Sequence, residues 1–257
     1  MQNQLQEFAG RRVVVTGATR GIGAAIAAHL ASAGASVTVT GRGTAELAPG
    51  IRLVPVDSST VAGAAELFAA IQDDGPIDVL INTVGGSASR GGILDLTDED
   101  WSAAVQANLL SAVRVDRQFV PGMVARRSGV IVHVTSIQRR LPMPWSLPYA
   151  AAKAALTNYS KGLATELAPH GVRVVAVAPG LVETPAVLDR IARRAAAEQL
   201  DESEAREAVA ADLGGIPLGH LGQPQDIAHL VAFLVSDRAQ WITGVEYVAD
   251  GGTVRTL

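Results

Sequence analysis

Short apolar runs alternate with helix-patterned segments along almost the whole chain, and no other feature restricts the fold as much. RRVVVTG (11–17) reads as a strand ending in a glycine turn. GIGAAIAAHLASAG (21–34) follows as a helix with Ile22, Ile26 and Leu30 on one stripe and Gly34 at its end. SVTVTGR (36–42), IRLVPVD (51–57) and IDVLINTVG (77–85) read as strands, with a helix from Thr60 to Gln72 between the last two. A long helix begins in LTDEDW, with Thr97 or Asp98 as N-cap. GVIVHVTS (129–136) makes a fifth strand, a helix then runs to Pro169, and GVRVVAVAPG (171–180) makes the sixth. A helix near 224–236 and a strand within 244–252 close the series. Strands this apolar are buried on both faces, and strand–helix–strand units cross over with a right hand. The expected fold class is α/β: a single doubly wound parallel sheet with helices on both faces, one domain over residues 1–257.

Composition narrows the function. Hydrophobic residues make up 48% of the 257 and aromatics only 4%, so the core is aliphatic. With a net charge of −4 and no basic run, the chain offers no face for nucleic acid. The absence of cysteine excludes disulfides, thiolate metal sites and thiol catalysis. Five histidines lack metal-ligand spacing, and no metal is expected; His133 reads as a hydrogen-bonded core residue. MQNQLQEFAGRR has no signal-like apolar segment and no stretch reaches spanning length, so a cytoplasmic protein without a membrane partner is expected. One charged segment, 184–215, interrupts the rhythm after the sixth strand. Asp201 with Glu204 reads as a capping pair, dividing it into two helices that are expected to form a lid over the ligand crevice.

TGATRGIG (16–23) joins the first strand to the first helix. Glycines at 17, 21 and 23 allow close approach of a pyrophosphate, and the helix N-terminus supplies unpaired N–H groups and a positive dipole end. An NAD site usually ends the second strand with an acid for the ribose. Here that strand ends Thr40-Gly41-Arg42, and Arg20 stands in the glycine loop. Two guanidiniums suit a 2′-phosphate, so NADP is expected over NAD.

SLPYAAAKAAL (146–156) places Tyr149 and Lys153 on one helix face, with alanine leaving room for a flat ligand. A tyrosine with a pKa of about 10 needs roughly 3–4 kcal/mol to fall two to three units. One cation at about 4 Å contributes some 4 kcal/mol at an effective dielectric near 20, against the cost of desolvating the phenolate. The expectation is that Lys153 draws the Tyr149 pKa down, falls short alone, and is joined at the same place by the positive charge of oxidised nicotinamide.

Together these motifs resemble the short-chain dehydrogenase/reductase family, a Rossmann-type fold, over nearly the whole chain. TGATRGIG matches its glycine motif, and Asn108, Ser136, Tyr149 and Lys153 match its catalytic tetrad in order and spacing. PGLVET (179–184) is similar to the segment that the family folds around the nicotinamide, and Asp57 to the acid that meets the adenine. The resemblance implies cofactor contacts at Gly17, Thr19, Arg20, Gly21, Ile22 and Gly23, at Arg42, Asp57, Asn82 and Gly85, at Tyr149 and Lys153, and at Pro179, Gly180, Val182 and Thr184. Asn82-Thr83-Val84-Gly85 departs from the family's Asn-Asn-Ala-Gly, and the link from 42 to 51 is short.

What the resemblance implies is reduction of a ketone or aldehyde, with Tyr149 as general acid, Ser136 donating to the carbonyl oxygen and Asn108 anchoring a relay water. A homotetramer, or a dimer, is implied through the last strand. An NAD-dependent alcohol dehydrogenase working oxidatively and a non-catalytic NADP-sensing regulator are the alternatives. Substrate determinants are expected in 86–96, 138–147 and 184–222, with Met143, Pro144 and Trp145 walling the pocket and Trp145 as the specificity residue. Arg139 and Arg140 are a second, weaker candidate for attracting an acidic substrate.

Overall fold

The structure, a computed structural model, describes residues 6–87 and 91–255. Residues 88–90, part of the expected substrate segment 86–96, lie outside it. Seven parallel strands form one sheet: β1 (Arg12–Thr16), β2 (Ser36–Thr40), β3 (Ile51–Val54), β4 (Val79–Asn82), β5 (Gly129–Val134), β6 (Val172–Pro179) and β7 (Glu246–Ala249). Their order is β3-β2-β1-β4-β5-β6-β7, so the winding reverses between β1 and β4. A crevice opens beyond the carboxyl ends of the strands at such a reversal.

Both faces are covered because both are apolar. On one, α1 (Gly21–Ser32) and α8 (Pro224–Val235) pack Ile26, Leu30, Ile227 and Val231 against β1 valines. On the other, α2 (Val61–Ile71), α4 (Ser111–Arg126) and α5 (Leu147–Leu167) bring Leu67, Phe119, Met123, Leu163 and Leu167 onto Val14, Leu80 and Ile131. A third, smaller cluster holds α6 (Pro185–Glu198) to α7 (Glu202–Ala211) through Ile191, Ala205 and Val209, and joins them to Met143, Leu181 and Leu221. Asp201 and Glu204 cap α7 reciprocally, as their spacing predicts. No helix among the described residues is long and apolar enough to cross a membrane.

The long helix expected from Thr97 is not continuous. Thr97 caps α3 (Asp98–Val105) in a capping box with Asp100, but a π turn over Gln106–Leu110 separates it from α4. Asn108 causes this locally: its Nδ2 donates to the Ala104 carbonyl at 3.0 Å, a bond that an uninterrupted helix gives to a backbone N–H. Sequence periodicity does not register one extra residue in a turn.

A polar knot sits between sheet and helices. Asp116 of α4, 1% exposed, accepts from Asn82 Nδ2 at 2.8 Å, His133 Nε2 at 3.0 Å and the Tyr159 hydroxyl at 2.9 Å. It ties β4, β5 and α5 to α4, and burial beside Asp116 pushes the Tyr159 phenol far up. His133 is the core residue its strand position suggests. Breaking one member of a buried, paired set costs about 3–5 kcal/mol, because its partners stay desolvated. Asp116→Ala is expected to lower unfolding stability by that amount in urea titrations; a loss under about 1 kcal/mol would show that the knot carries no stability.

Candidate active site

Most of the sequence-marked residues meet at the crevice. Gly17 and Gly21 adopt left-handed backbone, φ +66° and +60°, as the β1–α1 turn requires. A Cβ on Gly23 would stand 2.5 Å from Thr83 Oγ1, so only glycine lets α1 seat against β4's end. At the N-terminus of α1, Arg20 gives no side-chain cap, and no acid lies in the first turn. The first amides of a 12-residue helix therefore face the trough without a side-chain acceptor, which fits a pyrophosphate.

The trough has two adjoining lobes of about 300 and 430 Å³, sharing Gly17, Arg20, Thr83, Gly85, Gly86 and Ala186. Ile22, Gly21 and Gly23 line the first lobe with Ser136, Tyr149 and Lys153. Pro179 and Gly180 end β6 there, and Val182 and Thr184 lead from it into α6. Thr19, Arg42 and Asp57 line the second lobe. Asp57 Oδ1 accepts from the Ser59 hydroxyl at 2.6 Å and its amide at 3.0 Å. Those bonds, with the Arg42 charge as a smaller contribution, hold its carboxyl below the usual range.

Asn82 departs from the expected set. Its side chain is buried, with Nδ2 given to Asp116, and it lines neither lobe. Thr83, absent from that set, lines both and donates to the Thr16 carbonyl. Asp116 is the residue that sequence reasoning missed; an aspartate inside an apolar helix face was its only signal.

Asn108 is 1% exposed and clamps Gly86, accepting from its amide at 2.9 Å and donating to its carbonyl at 3.0 Å. Gly85 is confined beside it: an added Cβ would come 2.5 Å from Asn108 Oδ1 and 3.1 Å from Lys153 Nζ. Lys153 is buried, and its Nζ donates to the Val134 carbonyl at the end of β5, 2.8 Å away. Nζ lies 5.9 Å from the centre of the Tyr149 ring, so both head groups share one site.

In the chain alone, the displacement of Tyr149 does not come from Lys153. Burial pushes the Tyr149 phenol up, and the opposing pull comes from a hydrogen bond with Ser136. Lys153 is itself displaced by burial, down to about 8. At 1.36 kcal/mol per unit, keeping that ammonium costs on the order of 3 kcal/mol, comparable to the about 1.5–3 kcal/mol of one hydrogen bond to a charged group.

A second cavity, about 230 Å³, adjoins the trough at Ser136, Tyr149 and Gly180. Trp145, Gln138, Val187 and Leu213 form its walls, so Trp145 does stand beside Tyr149. Arg139 is half-buried in an ion pair with Glu246, which also accepts from Thr135 and Thr157, and it lines none of these cavities. Arg140 is exposed.

A parallel sheet with its switch point at β1/β4, carrying these side chains at its carboxyl edge, defines a class of nucleotide-dependent oxidoreductases, and comparison agrees. Residues 17–254 match the family model described as enoyl-(acyl carrier protein) reductase. The 3-oxoacyl-(acyl-carrier-protein) reductase FabG of Escherichia coli is 35% identical, over 95% of this chain and 98% of its own length. Human dehydrogenase/reductase SDR family member 4 is 32% identical, over 97% and 90%. The structure of L-sorbose reductase from Gluconobacter frateurii, complexed with NADPH and L-sorbose, superposes with a TM-score of 0.91 at 30% identity, covering 99% of this chain and all of that one. The chain belongs to the short-chain dehydrogenase/reductase family and is an oxidoreductase acting on carbonyl or CH–OH groups.

Between pH about 8 and 10.5 the unfolded chain keeps a proton on Lys153 that the folded protein has released, so stability rises with pH across that window. Relative to Lys153→Met, the wild-type protein is expected to gain up to about 3 kcal/mol over it in urea titrations. A pH-independent difference would show that burial does not penalise this ammonium.

Proposed function

We propose that the protein reduces a ketone or aldehyde to an alcohol with NADPH, Tyr149 being the proton donor. One observation carries this: Ser136 and Tyr149 stand together on the wall shared by the glycine-lined trough and the side cavity. A carbonyl oxygen seated between them meets two O–H donors. NADPH, when bound, supplies the hydride that adds to the carbonyl carbon. Tyr149 Oη gives its proton to the oxygen, and Ser136 Oγ donates a hydrogen bond to it as charge develops. Lys153, held by Val134, offsets the charge left on the phenolate. Burial keeps the resting phenol protonated, which supports the reductive direction. Asn108 sets the Gly86 backbone beside them.

Arg20 and Arg42 line the second lobe, and β2 ends without an acid, which supports a 2′-phosphate and hence NADP. α6, which lines the substrate cavity with Val187 and Arg190, and Leu213, just past α7, serve with α7 behind them as its cap. β7 leaves one edge of the sheet unpaired among the described residues, with Val245 and Val248 exposed beside it, and a homotetramer or dimer through that edge fits. Light scattering at micromolar concentration is expected to show the oligomer, and a monomer would remove this part of the reading.

The central test is NADPH absorbance with a panel of ketones and aldehydes. Tyr149→Phe is expected to lose at least a hundredfold in kcat while binding NADPH with near-normal affinity, and KM for NADH is expected to exceed that for NADPH at least tenfold. Turnover kept by Tyr149→Phe would remove the tyrosine from the chemistry; a lower KM for NADH would overturn the cofactor.

A further inference from the structure

The side cavity holds a charge that no part of the reduction uses. Among the described residues of its wall, Arg190 of α6 is the only one with a formal charge. Its Cζ lies 4.6 Å from the centre of the Trp145 ring, and its Nη2 donates to Asp212 Oδ2 at 2.5 Å. The guanidinium thus lies over one wall and is tethered at one corner, with its side chain 19% exposed. A guanidinium carries five N–H donors, and Asp212 is the only acceptor that Arg190 meets among the described residues. The same Oδ2 lies 3.5 Å from Arg194 Nη1, an arginine whose nearer partner is Glu198 at 2.6 Å.

We infer that Arg190 is the specificity residue of this enzyme, taking a carboxylate of the substrate, and that its preferred substrates are short oxo acids. The inference rests on the reductase reading for the identity of the carbonyl site. A guanidinium held over an aromatic ring and anchored at one corner is pre-organised for a carboxylate's paired oxygens. A neutral substrate in the same cavity would cover the unused donors without replacing their bonds to water, a cost that turns into discrimination. The volume, about 230 Å³, is below the range of about 300–1,000 Å³ usual for drug-sized ligands, so a short carbon chain between the carbonyl and the acid fits. Val187 and Leu213 give that chain its apolar contact.

The test pairs oxo carboxylates of three to six carbons with their methyl esters. Each is titrated calorimetrically into the protein holding NADP+, so that binding is read without turnover. For at least one pair the acid is expected to bind tenfold or more tighter than its ester. Arg190→Gln is expected to bring that ratio near one, and Arg190→Lys to keep part of it, with circular dichroism confirming that both fold. Equal affinities in every pair, or a ratio unchanged in Arg190→Gln, would overturn the inference. NADPH oxidation with the same compounds separates the two readings. If acids bind through Arg190 but no NADPH is consumed, the anion site stands and the reductase reading falls. If esters are reduced as well as acids, the reductase reading stands and the anion site falls.

Discussion

Lys153 Nζ is bonded to the carbonyl of Val134, and the site is arranged around that contact. An ammonium buried among apolar groups needs an acceptor, and β5 provides one where its ladder ends and a carbonyl is left over. The bond fixes α5 against the strand, which in turn sets Tyr149, one turn earlier, against Ser136 just past the end of β5. The same ammonium lies close to the Gly85 position, so any side chain there would crowd it. Strand end, helix and glycine loop each depend on the position of one cation.

Behind this front, the Asp116 knot gives the opposite side of β4 and β5 a fixed register on the helices. Asn82 and His133 stand opposite each other in adjacent strands, and both reach Asp116. A wholly aliphatic interface tolerates small sliding, whereas a carboxylate with three donors has one satisfied position. The knot joins the strand end that carries Val134 to the helix that carries Lys153 through groups that touch no ligand cavity.

Much of this was legible in the residues. Alternating apolar runs and helix patterns announce a wound parallel sheet because burial on both faces leaves no other economical pattern. Asp201 and Glu204 announce a helix start because capping is a local matter of three residues. Gly17, Gly21 and Gly23 announce a close backbone approach for the same reason. Strand ends were read too long: 77–85 shrinks to β4 at Val79–Asn82, since pairing stops where the neighbouring strand stops. The break at Asn108 was hidden, as a side-chain amide that takes the Ala104 carbonyl and also reaches the Gly86 backbone 22 residues away leaves no periodic signal.

By itself, the sequence determined the order of elements, the glycine turn, the pairing of Tyr149 with Lys153 on one face, and the family to which those motifs belong. All of these depend on neighbours a few residues apart or on periodicity. Tertiary structure alone decided which polar groups face the crevice and which are spent inside. Asn82 turned to Asp116, Arg139 to Glu246, and Arg190, unremarkable in a charged helix, came to lie against Trp145. It also decided the proton balance, because the pKa of Tyr149 and Lys153 follows from how much water the packed chain excludes, and no short stretch of residues encodes that.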